Sequence, residues 1–231
     1  MAGRWIGEGG GETMTIKVLL ADDHGIVRAG LRLLIESQPG LVVVGEAANG
    51  RAAVADALQF HPDIAILDIA MPELNGIEAT RQICEASPDT QVIILSMYAT
   101  REHVYQALRA GARGYVLKEA AGTELIEAIR AVSTGRRHLS RKVADELIDE
   151  YLEQGTWVER EKPLEQLSLR EREVLQLVAE GKSSSEIGEQ LFLSPKTVET
   201  YRSRLMQKLE LENLSTLIKF AIRHGIISLD N

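Results

Sequence analysis

The regular alternation of short apolar runs with longer amphipathic segments, over the first 137 residues, constrains the fold more than any other feature. The apolar runs are rich in β-branched residues, and helical patterns separate them. Strands that alternate with helices form a parallel sheet covered by helices on both faces. We therefore predict a doubly wound α/β domain with a five-stranded parallel sheet. The predicted strands are 16–21, 41–44, 64–67, 92–95 and 114–117, with helices near 26–38, 49–60, 77–86, 101–110 and 123–134.

The sequence changes character after residue 137. An acidic helical stretch at 141–153 is followed by linker-like residues up to Pro163. Beyond them only helical patterns remain, and several begin with residues that cap helices well. The sequence thus predicts a disordered Gly-rich tail at 1–13, with Met14 as a second candidate start. We expect an α/β domain at 14–137, a linker with an acidic helix at 138–163, and a small all-α domain of four helices at 164–231.

Composition excludes several classes of protein. Cys84 is the only cysteine, so no intrachain disulfide can form, and no apolar run approaches the ~18 residues that a membrane helix needs. The net charge of −8, taken over the whole chain, opposes binding to nucleic acid. Residues 194–208, however, carry four basic side chains against one acidic side chain. Such a local basic stripe matters more for phosphate binding than the sum over the chain.

Polar residues stand where the predicted strands end. Asp22 and Asp23 follow the first strand, Asp68 the third, Ser96 the fourth and Lys118 the fifth. The carboxyl ends of parallel strands meet at one edge, where ligands of such sheets bind. Three carboxylates gathered there repel one another, and their oxygen atoms suit Mg²⁺. A cation and the lysine together would neutralise an incoming phosphoryl group, and one carboxylate would act as its nucleophile.

The segment after Ser194 and Pro195 predicts an amphipathic helix with one polar face. Val198, Leu205 and Leu209 fall on its apolar side. Short polar side chains on the opposite side suit a helix that lies in the major groove of DNA, although a merely solvated face fits the pattern too. The candidate base-contacting residues are Lys196, Thr200, Ser203 and Gln207, and the flanking candidates for phosphate contacts are Thr197, Tyr201 and Arg204.

Taken together, these motifs resemble a known family. The segments Ala21 to His24, Leu67 to Pro72 with Asn75-Gly76, Ser96-Met97, and Gly114 to Lys118 resemble the receiver domain of two-component response regulators. Residues from Leu167 to Ile226 resemble the LuxR-type helix-turn-helix. The combination is similar to the NarL/FixJ subfamily over residues 14–231, which implies a flavodoxin-like receiver joined to a DNA-binding domain.

The resemblance also implies a role for each matching residue. Asp68 would be the phosphoacceptor, Asp23 a metal ligand, and Asp22 the residue that orients the water shell of the metal. The backbone carbonyl of Ala70 would be a third metal contact. Ser96 would hydrogen-bond the phosphoryl oxygen, Lys118 would pair with it, and Tyr115 would be the aromatic residue that turns inward when Ser96 moves.

One position in the DNA-binding helix departs from the basic residue that several relatives carry. Glu199 stands there, and it would either accept a hydrogen bond from a cytosine amine or pair with Arg202 on its own helix. The base preference of this helix therefore stays open from the sequence alone.

The resulting interpretation is a cytoplasmic transcription factor switched by phosphorylation, and not an enzyme. Its expected cofactor is Mg²⁺. Its expected partners are a sensor histidine kinase, double-stranded promoter DNA, a second copy of the chain in the active state, and RNA polymerase; no membrane is expected. The resemblance further implies that the inactive receiver masks the DNA-binding helix.

Other classes fit less well. A haloacid-dehalogenase-like phosphotransferase needs Asp-x-Asp, but Ile69 and Ala70 follow Asp68. A dinucleotide-binding enzyme needs a glycine-rich loop where Asp22 and Asp23 stand. A DNA-binding protein that acts without phosphorylation remains open until phosphorylation is measured.

Overall fold

The structure, a computed structural model, describes residues 15–98, 100–154 and 163–227. The predicted tail at 1–13, Met14 and linker residues 155–162 lie outside the described residues. Within the described ranges, no helix combines the length and the apolar character needed to cross a membrane.

The first domain contains a parallel sheet with the strand order β2-β1-β3-β4-β5-β6. All five predicted strands are present, but the sheet has six strands, because a two-residue strand pairs with the outer edge of β5. That strand is too short to show a period of two residues in the sequence. The strands are β1 Ile16–Ala21, β2 Leu41–Ala47, β3 Ile64–Asp68, β4 Gln91–Ser96, β5 Gly114–Leu117 and β6 His138–Leu139.

Helices cover both faces of this sheet, as predicted. Successive residues of β3 are all buried, alternately against one helical layer and the other, which explains the uninterrupted apolar runs. One layer contains α1 and α5, and the other contains α2, α3 and α4. The helices are α1 Gly25–Glu36, α2 Gly50–Phe60, α3 Gly76–Ala86, α4 Arg101–Ala110 and α5 Ala121–Ser133.

The acidic helix that follows packs against the first domain. This helix, α6 Arg141–Gln154, places Val143 in the core cluster that also contains Tyr115. Ser140, directly before it, is buried, and its hydroxyl accepts a hydrogen bond from the Leu117 amide at 3.0 Å. The segment predicted as a linker thus begins with residues that complete the edge of the sheet.

The second domain consists of four helices around a core of its own. A capping residue precedes each of them: Ser168 and Ser183 each form a capping box, Ser194 caps the helix that begins with Pro195, and Asn213 caps the last helix. The helices are α7 Leu169–Ala179, α8 Ser184–Leu191, α9 Pro195–Lys208 and α10 Leu214–Arg223.

A glycine lets α3 begin directly against the end of β3. A Cβ atom on Gly76 would lie 2.0 Å from the backbone oxygen of Asp68. The Gly76 amide also donates a hydrogen bond to the Ile69 carbonyl at 2.9 Å, which closes the loop between β3 and α3. Any larger residue here has to displace the backbone that carries Asp68.

We predict that Gly76→Ala destabilises the first domain by about 1–3 kcal/mol, the usual cost of overpacking. Gly122→Ala is the matched control, since a Cβ atom there meets nothing within 4 Å and the position is helical. The control should be neutral or stabilising by about 0.5 kcal/mol. Chemical denaturation followed by circular dichroism measures both changes, and equal unfolding free energies for the two variants would contradict the close approach.

Candidate functional site

Four side chains gather at the carboxyl edge of the sheet. One donor atom from each of Asp22, Asp23, His24 and Asp68 lies within 4.8 Å of the others. Asp22 and Asp68 are almost fully buried. The Lys118 ammonium lies 2.7 Å from Asp22 Oδ2 and 2.8 Å from Asp68 Oδ2, so it bridges the ends of β1 and β3. The structure therefore brings together the acidic cluster and the lysine that the sequence predicts.

The pKa values reflect this crowding. Burial raises the pKa of Asp68, and the charges of Asp22 and Asp23 add to this effect, while Lys118 opposes it. Burial acts to lower the pKa of Lys118, but the neighbouring carboxylates outweigh it, so the pKa is raised. The lysine stays charged, and its ammonium contacts two of the three carboxylates, those of Asp22 and Asp68. The cluster thus keeps excess negative charge, which a divalent cation would neutralise.

Two residues that sequence reasoning passed over also shape this cluster. The His24 imidazole lies 2.6 Å from Asp23 Oδ1, and its backbone amide donates to Asp22 Oδ1 at 2.8 Å. The Arg28 guanidinium donates to the Asp22 carbonyl oxygen at 2.5 Å. The histidine side chain is more than half exposed. The arginine offered no signal in the sequence beyond its place on α1.

Ser96 and Tyr115 lie on the neighbouring strands β4 and β5, and both are buried. The Ser96 hydroxyl accepts a hydrogen bond from the Tyr98 amide at 3.0 Å. The Tyr115 hydroxyl donates to the Tyr98 carbonyl at 2.6 Å, and burial raises its pKa. The loop after β4 is therefore tied to both residues, and the ring of Tyr115 lies inward in this structure.

The amphipathic interpretation of α9 is confirmed. Val198, Leu205 and Leu209 are buried in the core of the second domain. The side opposite this core is exposed along its length: Lys196, Thr200, Ser203, Arg204 and Gln207 are all exposed, and Thr197 and Tyr201 are half-buried beside it. The helix thus presents a continuous polar face, which we call the recognition face.

Glu199 has partners within its own domain. Its carboxylate accepts a short hydrogen bond from the Ser184 hydroxyl and lies 3.5 Å from the Arg202 guanidinium. Of the two alternatives for this residue, pairing with Arg202 is the one seen here. These contacts link the start of α8 to α9.

The second domain contacts the first through α7. Gln176 reaches the loop between β3 and α3, while Arg172 lies 2.8 Å from Glu78 on α3. Gln82 donates to Glu173 at 3.1 Å. The recognition face lies outside these contacts and stays exposed. Masking of α9 by the receiver, which the family resemblance implied, is therefore not seen in this arrangement.

A smaller contact joins the last helix to α4. The backbone of Gly225 lies directly against the His103 ring, and a Cβ atom there would come within 1.7 Å of its Nε2. His103 is buried, and its Nδ1 atom shares a hydrogen bond of 2.6 Å with the Thr100 hydroxyl. Gly225 has a φ of +64°, so both its conformation and its contact favour glycine.

Comparison with known families adds to this geometry. Residues 18–130 match the response regulator receiver domain, and residues 165–221 match the bacterial regulatory proteins of the luxR family. The first match covers every residue of the acidic cluster and the strand-end set. The second covers α7, α8, α9 and most of α10.

Individual proteins are similar over nearly the whole chain. The transcriptional regulatory protein LiaR of Bacillus subtilis is 39% identical over 92% of this chain and all of its own length. The oxygen regulatory protein NreC of Staphylococcus carnosus is 38% identical over 92% of this chain and 99% of its own. A structure of the two-component response regulator RcsB in complex with DNA is 30% identical, with a TM-score of 0.55, over 89% of this chain and 97% of that one.

We predict that Lys118→Ala raises the pKa of Asp68 further, because the one ammonium that favours its charged form is removed while burial and two carboxylates remain. Carboxyl ¹³C NMR titration in the presence of EDTA measures this pKa directly. Lys142→Ala is the control, since Lys142 pairs only with exposed Glu119 on the surface. An unchanged Asp68 pKa in Lys118→Ala would contradict the pairing.

Proposed function

Since this chain belongs to the NarL/FixJ-type response regulators and is a phosphorylation-regulated, DNA-binding transcription regulator, we propose that Asp68 is its phosphoacceptor. One observation carries this assignment: the buried Asp68 carboxylate ends the central strand β3, and an ammonium lies 2.8 Å from it at an edge open to solvent through Asp23 and His24. A regulator of this kind is not a classical enzyme, since the group that it accepts modifies the chain itself.

We propose that the phosphoryl group comes from a phosphohistidine of a sensor kinase. A carboxylate oxygen of Asp68 attacks phosphorus, the P–N bond to the histidine breaks, and the imidazole leaves with its electron pair and takes up a proton. Lys118 stabilises the charge on the transferring group because its Nζ atom already faces the carboxylate.

The residues present fit a magnesium ion, since three carboxylates lie close together and the one ammonium beside them contacts two of the three. Asp23, Asp68 and the Ala70 carbonyl would hold it, with Asp22 orienting its water shell. The ion would supply neutralising charge for the phosphoryl oxygens. Arg28 donates to the Asp22 carbonyl and so holds the backbone of Asp22 in place.

We propose that Ser96, Lys118 and Tyr115 sense the new charge. The phosphoryl group adds a charge of about −2 and three acceptor oxygens. Because the Ser96 hydroxyl accepts from Tyr98, a turn of Ser96 towards the phosphoryl group breaks that bond and frees the loop before α4. Tyr115 holds the same loop through the Tyr98 carbonyl, so both residues act on one short segment.

We propose that the recognition face of α9 binds promoter DNA in the major groove. Lys196, Thr200, Ser203 and Gln207 would face the bases, and Thr197, Tyr201 and Arg204 the phosphates. Glu199 would act by fixing α8 against α9. The active form would be a homodimer in the cytoplasm, where its DNA lies, with RNA polymerase as a further contact.

The first test of this function is phosphorylation. Acetyl phosphate with Mg²⁺ should label the parent chain, and Asp68→Asn should remove the label, because the amide is not a nucleophile for phosphorus. Mass spectrometry of the intact protein measures the added mass. Asp63→Asn is the control, since Asp63 is an exposed carboxylate that only accepts from the Lys17 amide. Stoichiometric labelling of Asp68→Asn would rule out the assignment.

The second test concerns DNA. Arg204→Ala should weaken binding to all sequences alike and reduce the slope of log K against log salt by about one unit, as loss of one phosphate contact does. Thr200→Ala and Lys196→Ala should change which sequences are preferred. Lys219→Ala, an exposed lysine on α10 outside the recognition face, is the matched control.

Fluorescence anisotropy with labelled duplexes, at several salt concentrations, measures these effects. A salt slope that falls equally in Arg204→Ala and Lys219→Ala would show that the recognition face has no special role. Unchanged sequence preference in both Thr200→Ala and Lys196→Ala would remove them from the base contacts.

A further inference from the structure

Gln176 is a buried polar residue of the second domain, and its side chain forms hydrogen bonds to the first domain. It lies on α7, with a relative exposure of 1%, and its apolar neighbours form the core of the second domain. Its Oε1 atom accepts from the Asn75 backbone amide at 2.8 Å and lies 3.2 Å from the Asn75 side-chain amide. Its Nε2 atom donates to the Met71 carbonyl at 3.0 Å.

These bonds reach two separate points of one loop, Met71 and Asn75. The loop runs from Ile69 to Asn75, directly after Asp68, and Ala70 lies beside Met71 within it. Asn75 ends the loop by capping α3, and its Oδ1 atom accepts from the Glu78 amide. The carboxamide of Gln176 therefore bridges Met71 and Asn75, and Met71 directly follows Ala70, whose carbonyl is the proposed metal contact.

A second residue, directly after the C-terminal end of α7, forms a hydrogen bond to the same loop. Glu180 accepts from the Glu73 backbone amide at 3.1 Å and from Gln176 Nε2 at 2.8 Å. Glu73 has a φ of +67°, an uncommon conformation for a residue with a side chain, and it lies in the middle of the loop. Backbone groups at three points of the loop, at Met71, Glu73 and Asn75, thus bond to the DNA-binding domain.

We propose that Gln176 is an interdomain positioning residue, which holds the loop after the phosphoacceptor in the shape that binds the metal. The inference rests on the function proposed above. A buried backbone amide and carbonyl lose their partners if Gln176 is apolar, so the loop has to rearrange to satisfy them. The bonds of Gln176 to the loop then raise the affinity of the acidic cluster for Mg²⁺, and by reciprocity Mg²⁺ strengthens these bonds.

This proposal differs from a general effect of domain contact. Gln82 and Arg172 also cross the interface, but they bond to Glu173 and Glu78 and do not reach the loop. If the loop contact matters, changing Gln176 affects the metal and changing the other two does not. If contact of any kind matters, all three variants behave alike.

The experiment compares Gln176→Met with Gln82→Met and Arg172→Met in the full-length chain. Methionine keeps the length and helical preference of glutamine but makes no such hydrogen bonds. Isothermal titration calorimetry measures the affinity for Mg²⁺ in the absence of any phosphoryl donor, and circular dichroism verifies that each variant is folded. We expect Gln176→Met to weaken Mg²⁺ binding about five-fold or more, a usual size for coupling between sites, with the controls within about two-fold of the parent.

Hydrogen exchange of the peptide that covers the loop is the second readout. In the parent, saturating Mg²⁺ should slow exchange of the Glu73 and Asn75 amides, because it favours the state in which α7 covers them. In Gln176→Met that response should disappear. A purely structural role would lower protection with and without Mg²⁺ equally.

The outcomes separate the two proposals. A parent chain that binds no Mg²⁺ overturns the metal site and the positioning role together. Equal Mg²⁺ affinity in the parent and Gln176→Met, or an equal loss in Gln176→Met and Arg172→Met, overturns the positioning role alone. Labelling of Asp68 by acetyl phosphate at saturating Mg²⁺ tests the phosphoacceptor separately from the positioning role.

Discussion

Crowding of negative charge at one edge of the sheet is the constraint on which the rest of the site depends. Two carboxylates about 5 Å apart repel each other by roughly 3 kcal/mol at an effective dielectric constant of 20. Asp22, Asp23 and Asp68 meet within such distances, and Lys118 is close to two of them. The fold keeps this arrangement because the strands that carry it are fixed by the sheet and its two buried faces. A site under such repulsion responds strongly to added charge, whether a cation or a phosphoryl group.

The sequence was sufficient to predict the parts of this site that follow from the parallel sheet. Once β1, β3, β4 and β5 are parallel, their carboxyl ends lie at one edge of the sheet. The residues that follow these strands therefore have to lie together, whatever the details of helix packing. The same holds for α9, where the spacing of Val198, Leu205 and Leu209 alone separates the buried side from the polar one. The sixth strand was missed because its two residues carry no periodic signal, and only pairing with β5 defines it.

What the sequence could not show depends on how the domains meet. Gln176 bonds to Met71 and Asn75, about 100 positions earlier, and no local pattern encodes that distance. A faint signal does exist, because Gln176 interrupts the apolar run from Val174 to Ala179, and a polar residue at a core position has to find a partner. Masking of α9, expected from the family resemblance, is not seen in this arrangement, and local patterns do not contain the relative orientation of the two domains on which it depends.

Because the recognition face is exposed, the contact between the domains does not cover the proposed DNA-binding surface. In this arrangement α7, and not α9, meets the receiver, so the contact leaves the DNA-binding surface open. Control of DNA binding by steric cover therefore has no basis in these contacts. A loop shared by the acidic cluster and α7 offers a different route. If Asp68 accepts the phosphoryl group, as proposed, the added charge would act on the segment Ile69 to Asn75, which bonds to the second domain at Met71, Glu73 and Asn75. Such a signal would alter how firmly the two domains are joined, and hence how freely the two copies of α9 in the proposed dimer could be placed on successive turns of DNA.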